Sequence, residues 1–385
     1  MYSPGKNKPF YYTLILLKLF LWYPLKSDRL YMRIFFSFSC LLRLMSFLTA
    51  LGTLAHLVIV IRDKVDVDIS EDIGDLSGFI GCMVVCLSFL TQHSRWCNFF
   101  KRLLNFKHFG TPPTYQAVVQ KGNLGTLVCI VYTIPGMFWY CYLTYKDIPL
   151  CEVQNRRLGR KEPCGMVNPT WMPHSQMEGT PFFVWYLLQS FGIFIYLPSS
   201  FAICSIPMEA VGIIISRIDH LRAKFKDLLK LRDRSIYKKQ IQYCVSYHQD
   251  IIEVSKELSA LVKSTMGSLL LTAAVVIGSL GSQVIKASTP KAISFIMGYV
   301  AAMFLVCHAG QRLIDESLNL TDEVYNTQWY RVDPSFRKDF TFILARCQKP
   351  LSMPGPASIG AANYGLFLIV IKTSYSYLTL LNEMI

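Results

Sequence analysis

Seven apolar stretches constrain the fold of this chain more than any other feature. A bilayer core is crossed by about 20 apolar helical residues, and lipid offers exposed backbone groups no hydrogen-bonding partner. Apolar residues make up 52% of the 385-residue chain, whereas charged residues make up only 17%. The sequence therefore predicts an all-α membrane protein, with spans at 34–61, 74–92, 124–145, 183–207, 264–285, 292–311 and 356–381.

Basic residues are divided unevenly between the two sides of this seven-span arrangement. The segments on the side of the N-terminus hold 28 Lys and Arg residues, and those on the other side hold nine. The positive-inside rule then places the N-terminus in the cytosol and the C-terminus outside, opposite to a G-protein-coupled receptor. Topology thus accounts for the net charge of +14, and membrane lipid, not nucleic acid, is the expected surrounding.

The early run FYYTLILLKLFLWYP, at 10–24, is too short and too interrupted to be an eighth span. Lys18 breaks it, and no small-residue cleavage site follows. It predicts an interfacial or re-entrant helix within a cytosolic arm, 1–33, rather than a signal peptide.

The twelve cysteines have no metal-ligand spacing, so we expect neither a metal site nor a cofactor. Most lie inside spans, where a cysteine is usually a small buried apolar group. Cys151 and Cys164 differ, because both fall in the second outer loop, where oxidising conditions permit a disulfide.

Two cytosolic regions have the composition of helices rather than loops. Region 208–263 carries apolar stripes of helical spacing at 211–229 and 241–261, which predicts that spans four and five continue as helices into the cytosol. Region 312–355 ends in a helix that begins near Pro334 and has an apolar face. These faces either pack on each other or assemble subunits. For assembly the candidates are Ile251, Tyr325, Trp329, Tyr330 and Phe340. The rest of the chain divides into transmembrane helices 1–4 at 34–207, transmembrane helices 5 and 6 at 264–311, and the last transmembrane helix at 356–385.

The last apolar stretch, IVIKTSYSYLTLLNEMI at 369–385, carries polar groups that lipid disfavours. At 100° per residue, five of its residues fall within about 80° of one another. They are Ile369, Thr373, Ser376, Leu380 and Glu383. This stripe would suit a water-filled pore with one apolar constriction, or the hydroxyls would bond back to the helix and bind neighbouring helices.

Three segments resemble the insect odorant-receptor family: GQRLIDESLNLTDEVYNTQWY (310–330), FILARCQKPLSM (342–353) and IKTSYSYLTLL (371–381). CVSYHQDIIEVSKEL (244–258) is similar to the helix that precedes span five in that family. The family usually opens its last helix with LTAG, and this chain has MPGPASIGAAN there instead.

The resemblance implies an odorant-gated cation channel in the plasma membrane of olfactory sensory neurons. Such channels are tetramers around one pore, which the last helix lines, and the cytosolic helices hold the subunits together. The short chain resembles a ligand-tuning subunit that assembles with a longer odorant co-receptor. By register with the family, Leu380 matches the gate position and Glu383 lies beside the filter position, which favours the pore interpretation.

A pocket for a volatile odorant should be apolar and lie in the outer half of the bundle. The candidates at that depth are Phe79, Met83, Phe138, Trp139, Tyr142, Gln189, Ile193, Phe295 and Tyr299. A gustatory-type channel of the same superfamily is the main alternative, but its TYxxxxxQ-like ending is absent from the last helix. A transporter or enzyme would need convergent polar groups in mid-membrane, which the sequence does not offer.

Overall fold

The computed structural model describes residues 2–25, 28–62, 69–158, 164–171, 179–228, 231, 233–287, 290–327, 329–331, 334–355 and 360–383. Within them the regular secondary structure is helical, apart from one isolated antiparallel bridge between Pro354 and Ala361. The α-helices are α1 (Tyr11–Leu19), α2 (Arg29–Arg62), α3 (Ser70–Thr91), α4 (His93–Leu103), α5 (Tyr115–Lys146), α6 (Ile148–Leu158), α7 (Thr180–Leu228), α8 (Arg234–Ala287), α9 (Pro290–Tyr325), α10 (Pro334–Cys347) and α11 (Tyr364–Glu383).

Seven of these helices are long and apolar enough to cross a membrane, namely α2, α3, α5, α7, α8, α9 and α11. Each coincides with one predicted span, so the predicted all-α, seven-span fold is confirmed. The last helix begins later than predicted, at Tyr364, because the Asn363 side chain accepts a hydrogen bond from the Leu366 N–H at 3.1 Å and caps it. Residues 356–359, where the predicted span opened, lie outside the described part of the chain.

Helix α7 is the central element of the bundle. It contacts α1, α2, α3, α4, α5, α8 and α9, and most residues of its most apolar stretch are buried. Helix α3 packs along α8, and α11 packs along α8 from another side. The bundle has two ends, which we name the extension end, where α7 finishes and α8 begins, and the loop end, where α3 and α9 begin.

The extension end is built from the two predicted apolar stripes, which pack within one chain. Both are buried, from Val211 to Leu228 on α7 and from Ile241 to Leu261 on α8. Arg217, 1% exposed, pairs with Asp250 at 2.7 Å and donates to the carbonyl of Leu103 at 2.6 Å, which satisfies the end of α4. Of the two alternatives for these stripes, the structure therefore adopts the first, in which they pack on each other within one chain.

The N-terminal arm packs into the bundle through α1. Glu209 of α7, 5% exposed, accepts hydrogen bonds from the Phe10 N–H at 2.7 Å, Thr13 Oγ1 at 2.9 Å and Thr126 Oγ1 at 2.6 Å. Three donors compensate the cost of burying this side chain and join the arm to α5 and α7. The Trp22 ring, fully buried, lies 3.6 Å below the guanidinium of Arg43.

Candidate functional site

A cavity of about 620 Å³ lies between α5, α7 and α9 and is completed by one residue each from α3 and α8. That volume falls within the range of about 300–1,000 Å³ that is usual for small-molecule sites. The lining is apolar and aromatic for the most part: Cys82, Val131, Tyr132, Thr133, Pro135, Gly136, Met137, Trp139, Tyr140, Leu197, Ser200, Phe201, Leu269, Ser294, Phe295, Met297, Gly298, Tyr299 and Ala302.

Two glycines help to keep the cavity open. A Cβ added at Gly136 of α5 or at Gly298 of α9 would meet no heavy atom within 4 Å. Both residues line the cavity, and neither adds side-chain bulk to its wall. Pro135 stands next to Gly136 and removes a backbone N–H from the middle of α5.

Four of the hydroxyl groups that line the cavity, those of Thr133, Ser200, Ser294 and Tyr299, have partners within the protein. Tyr299 Oη lies 2.6 Å from Thr272 Oγ1 of α8, and Ser200 Oγ donates to the Leu197 carbonyl at 2.9 Å. Gly81 of α3 leaves the room that the first pair occupies, since a Cβ there would fall 2.6 Å from Thr272 Oγ1. The cavity therefore offers apolar contact more readily than it offers free hydrogen-bonding groups.

A recess of about 20 Å³ adjoins the cavity on the side of the loop end. Four residues line both spaces, namely Cys82, Tyr140, Leu197 and Phe295. The other lining residues of the recess are Asp75, Phe79, Asn168 and Ile193. Its volume suits about one water-sized group.

The structure brings together five of the nine predicted pocket residues. Trp139, Phe295 and Tyr299 line the cavity, and Phe79 and Ile193 line the recess. Met83 is half-buried and lines neither. Phe138 and Tyr142 face outward from α5, with 62% and 53% of their surface exposed.

Gln189 is buried and fully engaged with the segment that precedes α7. Its Oε1 accepts from the N–H groups of Val167 at 3.0 Å and Asn168 at 3.2 Å. Its Nε2 donates to the Asn168 carbonyl at 3.2 Å and to Thr170 Oγ1. An amide side chain has two acceptor and two donor sites, so none is left for a ligand.

Sequence reasoning missed several of the lining residues, among them Met137, Tyr140, Phe201 and Met297. The Pro135–Gly136 pair in the middle of a predicted span was the available signal, because it marks a helix with reduced bulk. Depth alone selected Phe138 and Tyr142, which sit on the other side of α5 from Met137 and Tyr140.

Helix α11 packs on α8 by one face and leaves the predicted stripe on the other. Two glycines of α8 permit the approach, since a Cβ at Gly278 would fall 2.6 Å from Tyr377 Cδ1 and one at Gly281 would fall 2.7 Å from Leu378 Cδ1. Ser374 is buried on the packed face. The stripe residues are exposed in the single chain: Ile369, Thr373, Ser376, Leu380 and Glu383.

The hydroxyls of α11 bond back to their own helix. Thr373 Oγ1 donates to the Ile369 carbonyl at 2.9 Å, and Ser376 Oγ donates to the Lys372 carbonyl at 3.2 Å. This is the geometry that the alternative interpretation of the stripe required. It leaves oxygen lone pairs on the exposed face, so back-bonding and a water-facing role are compatible.

The five residues considered for assembly are in two different environments. Ile251 and Phe340 are fully buried inside the chain, so they support the extension end from within and do not reach a second subunit. Tyr325 and Tyr330 are 64% and 54% exposed, and Trp329 is partly buried.

An open groove of about 840 Å³ runs along the extension end between α8 and α10. Phe342, which is 75% exposed, and Val245, which is 49% exposed, form part of its wall. Polar residues such as Gln249 and Arg346 complete its edges.

Cys151 of α6 and Cys164 are joined as a disulfide, with their Cα atoms 5.7 Å apart. The other ten cysteines are free thiols. In the described part of the chain, no group of three or more His, Cys, Asp or Glu side chains is arranged to hold a metal ion.

Comparison with known proteins identifies the family. The family model for the 7tm Odorant receptor matches residues 68–375. The chain is 25% identical over 150 residues to odorant receptor Or2 of Anopheles gambiae, which covers 37% of this chain and 39% of that protein. It is 27% identical over 151 residues to odorant receptor 67a of Drosophila melanogaster, covering 36% and 37%. Alignments to similar curated relatives span between 34% and 63% of those proteins' length.

A solved structure shares the fold along nearly the whole chain. The insect olfactory receptor OR5 of Machilis hrabei, solved in complex with eugenol, superimposes with a TM-score of 0.76 over 97% of both chains at 17% identity. The same receptor solved separately gives a TM-score of 0.77 over 96% of both chains. With most of its length matched by the family model and its fold shared with this receptor, the chain belongs to the 7tm Odorant receptor family.

Proposed function

We propose that this chain is the ligand-binding subunit of a ligand-gated cation channel. The ligand is a volatile organic molecule, and the pore is lined by α11. The observation that carries this proposal is the apolar cavity of about 620 Å³ inside the bundle of an odorant-receptor family member. A space of that size and chemistry suits a small apolar molecule with few hydrogen-bonding groups.

A short chain of contacts supports coupling between the cavity and α11. Tyr299 lines the cavity and shares a hydrogen bond with Thr272 of α8. About two turns further along α8, Gly278 lies against Tyr377 of α11. A ligand that displaces the Tyr299 ring therefore acts on α8, and α8 carries the displacement to the last helix.

The exposed stripe of α11 supplies the pore surface in this proposal. Leu380 forms the apolar constriction, and Glu383, at the loop end, attracts cations to the outer mouth. Thr373 and Ser376 line the wetted part below the constriction. Ile369 lies on the same face, one turn deeper. The loop end faces outward and the extension end faces the cytosol, in keeping with the excess of basic residues there.

The partner in this proposal is an odorant co-receptor subunit, and the complex is a heterotetramer in the plasma membrane of olfactory sensory neurons. The groove between α8 and α10 offers a surface for it, since Phe342 and Val245 expose apolar area at the extension end. Tyr325 and Tyr330 add exposed aromatic area at that end.

Expression with and without a co-receptor tests the proposal. We expect inward cation currents with one or more members of a panel of volatile esters, alcohols, aldehydes and amines when both subunits are present. The co-receptor alone is the control. Currents that match this control for every ligand, with the chain present at the cell surface, would contradict the proposed function.

A further inference from the structure

A buried carboxylate lies at the recess that adjoins the cavity. Asp75 of α3 is 4% exposed, and it lines the recess. Its Oδ2 accepts no hydrogen bond from the described residues, although Lys291 Nζ of α9 lies 3.6 Å away. A buried carboxylate oxygen without a hydrogen bond is costly, and a donor placed in the recess that Asp75 lines would offset that cost.

The charges around Lys291 leave this carboxylate only partly compensated. Lys291 Nζ donates to Glu71 Oε1 at 2.7 Å, so its short contact is with Glu71 and not with Asp75. The Tyr140 ring lies 5.3 Å from the same ammonium. One lysine thus faces two carboxylates, which gives a formal excess of one negative charge beside the recess. In a low-dielectric setting this excess favours a positive or hydrogen-bond-donating group.

The dimensions of the two spaces limit what such a group would be attached to. The recess, at about 20 Å³, admits one water-sized group, whereas the cavity beside it admits a body of several carbon atoms. Phe295 and Tyr140, with ring centroids 6.2 Å apart, stand where the two spaces meet. A ligand with an apolar body and a compact terminal donor fits both at once.

We infer that the recess is a polar subsite in which Asp75 receives the terminal donor of a ligand whose apolar body fills the main cavity. The ligand class is a primary amine or alcohol with a hydrocarbon chain or ring. This inference rests on the proposed function, because it assumes that the cavity is the place where the activating ligand binds.

The test compares two variants of Asp75 over matched series of primary amines, primary alcohols and methyl ethers of equal length. Asp75→Asn removes the negative charge but keeps an acceptor oxygen, so half-maximal concentrations should rise about ten- to a hundred-fold for amines and little for alcohols. Asp75→Leu removes the acceptor as well, so alcohols should lose sensitivity together with amines. Methyl ethers, which carry no donor, should keep their responses in both variants.

Glu71→Gln changes the charge balance without altering the lining of the recess. It frees Lys291 to pair with Asp75, so amines should lose part of their sensitivity, whereas alcohols and methyl ethers should keep theirs. Equal losses for ethers, alcohols and amines would overturn the inference, as would no loss for any of them, the result expected if the recess holds only water. A wild-type channel that responds to no ligand would instead refute the proposed function itself.

Discussion

Filling the cavity from Gly298 is the most direct test of where the ligand binds. Gly298 lines the cavity on α9, and no heavy atom lies within 4 Å of a Cβ built there. Gly298→Leu adds four carbon atoms, the first of which meets no heavy atom in the free protein. At about 30 Å³ for each water-sized group they take roughly 120 Å³, about a fifth of the 620 Å³ available.

The loss in affinity follows from the ligand carbons that are displaced. If three or four methylene groups no longer fit, each loses about 0.8 kcal/mol of burial, which gives about 2.4–3.2 kcal/mol. That corresponds to a rise of about fifty- to two-hundred-fold in half-maximal concentration. Ligands short enough to fit the remaining volume should be little affected, so the variant should shift the preferred chain length downward.

Folding should not suffer, because glycine is among the poorest helix formers and leucine among the best. Gly125→Leu is the matched control: Gly125 lies on α5, is exposed, has no heavy atom within 4 Å of a built Cβ, and does not line the cavity. The assay is a concentration–response series over ligand length, with surface expression measured in parallel. Long ligands that activate Gly298→Leu and Gly125→Leu equally well would refute the location of the site.

Three further changes test the pore helix, its packing and assembly. Leu380→Ser should keep the constriction wet and raise the current without ligand; the rise should be partial, since co-receptor helices share the pore. Leu368→Ser is the control, because Leu368 is exposed but lies about 120° away on α11, and it should leave this current unchanged. An unchanged basal current in channels shown to contain Leu380→Ser would remove α11 from the pore. Gly278→Val should push α11 away from α8 and destabilise their packing by about 1–3 kcal/mol. We expect altered gating with an unchanged ranking of ligands. Wild-type gating at normal surface expression would contradict the contact between the two helices. Phe342→Asp should reduce co-purification with the co-receptor while the chain alone folds normally. Ile251→Lys should instead reduce folding itself, because the Ile251 side chain is fully buried. Normal co-purification of Phe342→Asp, or misfolding of that variant in place of Ile251→Lys, would exclude the groove as a subunit contact.

The sequence predicts the helices of this protein well because the lipid requirement is local. A span needs only its own run of apolar residues, and the basic excess needs only a count along the chain. The continuation of α7 and α8 beyond the bilayer was likewise visible, since helical spacing persists from Val211 to Leu228 and from Ile241 to Leu261. The sequence could not predict which surface packs on those stripes, because an apolar helix face has the same residue pattern whether it packs within its own chain or against another subunit.

The cavity was harder to predict because it is defined by missing side chains on different helices. Gly136 and Gly298 are far apart in the sequence, and they line the same cavity only because α5 packs against α7 and α9 in the folded chain. Periodicity also could not choose between the two faces of α5, both of which carry aromatic residues. Phe138 is 62% exposed, while Tyr140, two residues later, is 7% exposed and lines the cavity.

Gln189 and Asp75, two buried polar residues near the recess, show why a buried polar side chain has to be judged by its unused hydrogen-bonding sites. Gln189 was a reasonable candidate to orient a ligand, yet its two acceptor sites and two donor sites are all used by the segment 167–170. Asp75 is a carboxyl group, whose ionised form costs more to bury, and its Oδ2 still accepts no hydrogen bond from the described residues. A side chain whose hydrogen-bonding sites are all used stabilises the fold. It does not favour a ligand, because breaking its existing hydrogen bonds would cost as much free energy as a hydrogen bond to the ligand provides. A residue that lines a recess and keeps an unsatisfied atom gains free energy when that atom receives a donor, and this gain distinguishes Asp75 from Gln189 as a place for a ligand.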